Sequence, residues 1–102
     1  MANTFKNYTS AAVGTSEVTT YTVPSSTTGV MIGCNVANIT SAQIRVTVKA
    51  AGVHVVKDVP VPANSAISVL DGKIIVETTD TVKVTSNTAS SADVIVSVLE
   101  QT

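Results

Sequence analysis

Chemistry in this chain would have to start from its one cysteine, its one histidine and its seven carboxylates. Cys34 and His54 are the only residues that could make a thiolate and its base, because a nucleophile needs a base within hydrogen-bond reach. Cys34 is flanked by Gly33 and Asn35 and is in phase with Val30, Ile32 and Val36, so it reads as a small buried hydrophobe. His54 lies in the run VHVVKDV with no second His or Cys at ligand spacing, and reads as a solvated edge histidine. The carboxylates Glu17, Asp58, Asp71, Glu77, Asp80, Asp93 and Glu100 are spread one per element. Asp71 and Asp80 suit turns, and the others serve to keep strand ends wet. A glycosidic site normally also wants aromatic platforms, and Trp is missing. There is no Asp-x-Asp-x-Asp calcium loop and no Gly-rich phosphate cradle. The expectation is no catalytic residue, no metal and no cofactor.

The elements that would position such residues are strands. The chain is organised around Thr28 to Lys49, where Val30, Ile32, Cys34 and Val36 alternate with Met31, Gly33, Asn35 and Ala37. After a break at Asn38 to Ser41, Ile44, Val46 and Val48 alternate with Arg45, Thr47 and Lys49. The spacing predicts two half-buried strands joined as a hairpin. Before it, Glu17 to Val23 reads as a strand with Thr19, Tyr21 and Val23 on one face, ended by Pro24. After it, Ala51-Gly52 turns the chain into Val53 to Val59, where Lys57 marks an edge strand. Pro60 to Asn64 reads as a rigid connector. Asp71-Gly72, between the apolar runs SAISVL and KIIVET, predicts a two-residue hairpin. Val82 to Ser86 places Val82 and Val84 inward, and Asp93 to Glu100 is apolar on both sides, as a central or doubly covered strand would be.

At 102 residues the chain is read as one domain, 1–102, with no linker or internal repeat. The apolar share of 44% is mostly Val, Ile and Ala, with 3% aromatics, which suits pleated packing rather than helices. The fold class expected is all-β, a compact antiparallel β-sandwich, immunoglobulin-like or jelly-roll-like, of seven to nine short strands. Six Lys and Arg against seven Asp and Glu leave a net charge of −1, which argues against nucleic-acid and membrane partners. A lone cysteine and an opening without basic or long apolar stretches suggest a protein made and kept in the cytosol. Asn7-Tyr8-Thr9 and Asn38-Ile39-Thr40 are then simply turn residues.

Residues 1–16 are polar apart from Phe5, Tyr8 and Val13. They read either as an arm laid on a neighbouring subunit, anchored by Phe5 and Tyr8, or as a short edge strand of the same domain. Charge, at 13%, is low for a protein that must remain separate from its neighbours. A Thr-rich surface, including Thr47, Thr85 and Ser97, suits a subunit of a permanent assembly, since little charge need be desolvated.

Several segments carry a resemblance: TFKNYTSAAVGTS at the start, Tyr21-Thr22-Val23-Pro24, Asn35-Val36-Ala37-Asn38, Val61-Pro62-Ala63-Asn64-Ser65, Gly72-Lys73, Asp80-Thr81-Val82-Lys83-Val84, and Ser97-Val98-Leu99-Glu100. Through nearly its whole length the chain resembles small virion structural proteins of tailed bacteriophages, of the marine phage and cyanophage type. The resemblance implies a non-enzymatic, multi-copy virion component assembled in the host cytoplasm, with phage structural proteins as partners. The leading expectation is a capsid decoration or cement protein bridging major capsid subunits, with Phe5 and Tyr8 as interface residues. The alternatives are a neck, collar, tail or baseplate component that forms a ring or docks a fibre, and a carbohydrate-binding module for host attachment.

Overall fold

The computed structural model describes residues 2–102; Met1, the first residue of the expected arm, lies outside the described residues. The described residues form nine strands: β1 (Asn3–Val13), β2 (Val18–Thr22), β3 (Thr28–Asn38), β4 (Ile44–Ala50), β5 (Val53–Val61), β6 (Ala66–Ser68), β7 (Ile74–Val76), β8 (Thr81–Ser86) and β9 (Ala92–Gln101). They make two antiparallel sheets packed as a β-sandwich, as the β-branched composition and period-two alternation led one to expect. Sheet A has the order β1-β9-β3-β6, with β7 also on β3; sheet B has the order β2-β8-β4-β5.

The pairings are nested: β1 with β9, β2 with β8, β3 with β6 and β7, and β4 with β5. The chain is thus one long antiparallel ribbon, folded back at the β4–β5 turn and rolled up. Rolling adds the pairings β9–β3 and β8–β4 that close each sheet. Taking β6 and β7 as one interrupted strand, this is the eight-strand arrangement of a jelly roll, and of the two expected architectures it is the one formed.

Several local expectations are corrected by the structure. The first concerns Thr28 to Lys49: β3 belongs to sheet A and β4 to sheet B, so the segment between them crosses the sandwich instead of closing a hairpin. Asn38 anchors that crossing. Its side-chain amide donates to the carbonyls of Ala42, Val61 and Pro62, and its Oδ1 accepts from the N–H and hydroxyl of Thr40. Asn7, by contrast, is a strand residue of β1 and no turn.

Second, Asp71-Gly72 makes no hairpin. β6 pairs with Asn35–Ala37 and β7 with Gly29–Met31, both antiparallel to β3, so they run the same way along one edge. The two-residue hairpin is Ala51-Gly52, where φ is positive at both positions (53° and 79°) and Ala50 faces Val53. Those dihedrals match the turn whose twist suits two antiparallel strands.

Third, β3 carries a bulge between Met31 and Gly33. An extra residue shifts a strand's two-residue alternation by one. Accordingly Met31 is buried on one side of the bulge and Cys34 and Val36 on the other, while Ile32 is exposed. A similar irregularity in β2 leaves Thr19 exposed although Tyr21 and Val23 are buried. Pro60 and Val61 belong to β5, so the connector begins only at Pro62.

The core lies between the sheets. Of nineteen buried hydrophobic residues among those described, thirteen are valine, whose stiff side chains lose little rotamer freedom when packed on a pleat. β9 supplies Val94, Val96 and Val98 from the centre of sheet A; β4 and β8 supply Ile44, Val46, Val48, Val82 and Val84 from the centre of sheet B. β9 is central, as expected, but its outer side is uncovered, with Ile95 exposed.

Candidate functional site

The expected chemistry-bearing residues are kept apart. Cys34 faces the core as a free thiol, and burial pushes its pKa up to about 11. His54 lies on the exposed edge strand β5 of sheet B. Among the described residues no three His, Cys, Asp or Glu side chains gather as a metal site would require.

Glu100 departs from its expected role of wetting a strand end: it is only 4% exposed. It faces inward from β9 at the open side of the sandwich, where β1 meets β2. Its Oε2 accepts hydrogen bonds from the Tyr8 hydroxyl (2.8 Å) and the Tyr21 hydroxyl (2.7 Å), and Lys6 Nζ lies 3.4 Å from Oε1. The two tyrosine rings stack with centroids 4.4 Å apart. Gly29 leaves room for this group, since a Cβ there would lie 3.0 Å from the Tyr21 hydroxyl. Burial alone would raise the Glu100 pKa, but the bonds from Tyr21, Tyr8 and Lys6 outweigh it and hold the carboxyl below its ordinary value. The tyrosines shift upward, through burial first and then through bonding to the carboxylate. Ser10 and Thr20 add a hydroxyl–hydroxyl bond of 2.9 Å along the same seam. The arrangement is a polar lock whose carboxylate is held by hydrogen bonds from both tyrosines and by the Lys6 ion pair.

Of the two expected interface residues, Tyr8 is therefore engaged within its own domain. Phe5 is not: it is 73% exposed on the outer side of β1. The segment expected as an arm or an edge strand is β1, paired with β9 from Asn3 to Ser10 and again at Val13.

Pairing register shows what surrounds Phe5. Phe5 faces Leu99, Leu99 faces Val30, and Val30 faces Ile75, so one apolar row crosses all four strand positions of sheet A on its outer side. Ile75 is 66% exposed. The neighbouring rows are Asn3–Gln101–Thr28, Asn7–Ser97–Gly33 and Thr9–Ile95–Asn35–Ser68, all uncharged. Charge lies around these rows: Asp93, near one end, accepts a bond from the Ala12 N–H, and exposed Lys73 and Glu77 flank β7.

The outer side of sheet B is different in kind. It is polar and concave, with a groove of about 270 Å³ lined by Glu17, Arg45, Thr47, Lys49, His54, Asp58, Thr85, Ser86 and Asn87. Thr47 and Thr85 thus lie on this face and Ser97 on the other, although sequence alternation treated the three alike.

Comparison with family models, characterised proteins and solved structures gave no match for this chain.

Proposed function

We propose that the chain is a non-enzymatic structural protein of tailed-phage virions, a capsid decoration or cement protein that docks through the outer face of sheet A. The supporting observation is the row Phe5–Leu99–Val30–Ile75, bordered by the uncharged rows Asn3–Gln101–Thr28 and Asn7–Ser97–Gly33. Charge depletion around apolar anchors is what distinguishes the centre of a protein interface from ordinary surface. Four strands about 4.8 Å apart and about nine residues long offer roughly 500–600 Å². With the open edge of β1 added, this approaches the ~800 Å² per partner of a standard interface. The resemblance of the sequence to small virion proteins supplies the partner class, namely major capsid subunits. Bridging two of them through one apolar row would stabilise the shell without any bond being made or broken.

The test joins copy number to a substitution. Quantitative mass spectrometry of purified virions should find the protein at hundreds of copies per particle, as a shell lattice requires; about six to a few dozen would relocate it to a neck or baseplate ring. Absence from virions would refute both. Phe5→Ala should leave the unfolding free energy within about 0.5 kcal/mol of wild type, because the ring is exposed in the free protein. The same change should weaken capsid binding by at least tenfold, since burying a phenylalanine is worth about 1.5–3 kcal/mol. Unchanged binding by both Phe5→Ala and Ile75→Ala would remove this face from the proposal.

A further inference from the structure

An open strand edge is a template for pairing with another chain, and three of the four edges of this sandwich are blunted against it. β5 carries Lys57, a positive φ of 49° at Asp58 and Pro60, and its register with β4 shifts twice. β2 is five residues long with an irregularity between Thr19 and Tyr21. The far edge of sheet A is made of β6 and β7, three residues each. β1 is the exception. It has eleven residues and no proline, and it pairs with β9 without a shift from Asn3 to Ser10.

The register shows where its free backbone groups point. Ala2 and Thr102 exchange both N–H···O bonds, so by the two-residue period of an antiparallel ladder Thr4, Lys6, Tyr8 and Ser10 bond to β9. Asn3, Phe5, Asn7 and Thr9 then turn their N–H and C=O groups to the open edge. From Asn3 to Asn7 every residue is exposed, on the inward side as well as the outward. β2 approaches only from Tyr8 onward, through the Tyr8–Tyr21 stack and the Ser10–Thr20 bond.

We propose that β1 pairs antiparallel with β1 of a second copy of this chain, about a two-fold axis at Phe5. Self-complementarity marks the occupant as a second copy. Phe5 then faces Phe5, Asn3 faces Asn7 and Thr4 faces Lys6, with about six backbone bonds at the three odd positions. The apolar row Ile75–Val30–Leu99–Phe5 runs on into its own copy, and two rings that are each 73% exposed cover one another. Lys6 keeps its ion pair with Glu100. Other axes fit worse. An axis at Lys6 sets that cation against itself. An axis at Asn7 carries the pairing past Ser10 into the shift before Val13, where Ala12 has a positive φ of 52°. Pairing at Phe5 consumes β1 on both copies and leaves only blunted edges, so it closes as a dimer. This goes beyond the docking reading and does not rest on it. On a shell the second copy would take the β1 edge, and two sheet A faces side by side would offer about 1,000–1,200 Å².

The experiment is sedimentation velocity of the purified whole chain from about 10 µM to about 1 mM, with amide exchange followed by NMR at both ends of that range. A small interface associates weakly, at a dissociation constant of about 10–500 µM, so the mean mass should rise from that of one chain toward that of two. The amides of Asn3, Phe5 and Asn7 should gain protection as it does, while those of Thr4 and Lys6, already bonded to β9, stay as they were. Phe5→Lys and Phe5→Glu should each remain monomeric, because like charges then face each other, and each should keep the melting temperature, because position 5 is exposed. An equimolar mixture of the two should recover a dimer. Ile75→Ala, away from the axis, should leave dimerisation unchanged while weakening capsid binding, which separates failure here from failure of the docking reading. The proposal is overturned if wild type stays monomeric at about 1 mM or associates beyond a dimer. It is equally overturned if a dimer forms without protecting Asn3, Phe5 and Asn7, if Phe5→Lys dimerises as well as wild type, or if the mixture stays monomeric.

Discussion

Removing the Glu100 carboxylate should show how the open side of the sandwich is held. Glu100→Ala deletes the acceptor for two tyrosine hydroxyls, one of which, on Tyr21, belongs to a side chain 1% exposed. A buried hydroxyl left without a partner costs about 1–3 kcal/mol, and each hydrogen bond to a charged group contributes about 1.5–3 kcal/mol. These overlap, because the Tyr8 hydroxyl can turn to water, so the expected loss is about 3 kcal/mol. For a domain of this size that lowers the melting temperature by roughly 12–24 °C. Lys6→Ala should cost under about 1 kcal/mol, since its side chain is half exposed and its ion pair is screened. Tyr21→Phe should cost more than Tyr8→Phe for the same reason of burial. Urea unfolding followed by circular dichroism measures all four, and hydrogen exchange should show β1 amides losing protection first in Glu100→Ala. A loss below about 1 kcal/mol for Glu100→Ala, or an equal loss for Lys6→Ala, would refute the view that this carboxylate fastens β1 to β2.

The same cluster sets a pH window. Because the Glu100 pKa is lowered on folding, its contribution is complete above the ordinary value of 4.5 and declines as pH falls through the folded value. Because the Tyr21 pKa is raised, its contribution is complete below 10.0 and declines as pH rises beyond that. Urea midpoints across pH should therefore fall at both ends, and Glu100→Gln should flatten the acid limb; an unchanged limb would contradict the assignment. Ala51→Asn should raise stability by about 0.5–1 kcal/mol, because Ala51 occupies the left-handed region in a turn that favours Asn-Gly, and thermal unfolding reads the gain. Cys34 should resist a thiol reagent in the native protein at neutral pH and react fully in urea, since its thiol is buried and its pKa lies at about 11.

Strand positions were legible because alternation survives wherever a strand has one dry face: Ile44, Val46 and Val48, Val82 and Val84, and Val94, Val96 and Val98 are all buried as read. Sheet membership was not. In a rolled ribbon most sequence neighbours lie in opposite sheets, so the breaks after β1, β2, β3 and β7 look like turns while crossing the sandwich. Asp71-Gly72 has the composition of a hairpin turn but spans an interruption in one edge, beside the stretch of β3 that carries the bulge. β1 was hardest to read, because its inward side chains are not apolar. Lys6, Tyr8 and Ser10 meet Glu100 and Thr20 through polar contacts, so no hydrophobic period marks the strand.

The candidate surfaces were hidden by a related effect. Phe5, Val30, Ile75 and Leu99 are spread over almost the whole sequence, and Arg45, Lys49, His54 and Lys83 are interleaved among them. Composition averages both sets into a net charge of −1. Rolling separates them, because β1, β3, β7 and β9 build one sheet and β2, β4, β5 and β8 the other. One outer face then gathers an apolar row, and the other gathers Arg45, Lys49 and Lys83 together with Glu17 and Asp58. A single substitution on one outer face is therefore expected to leave the other face unchanged, since the valine core lies between them.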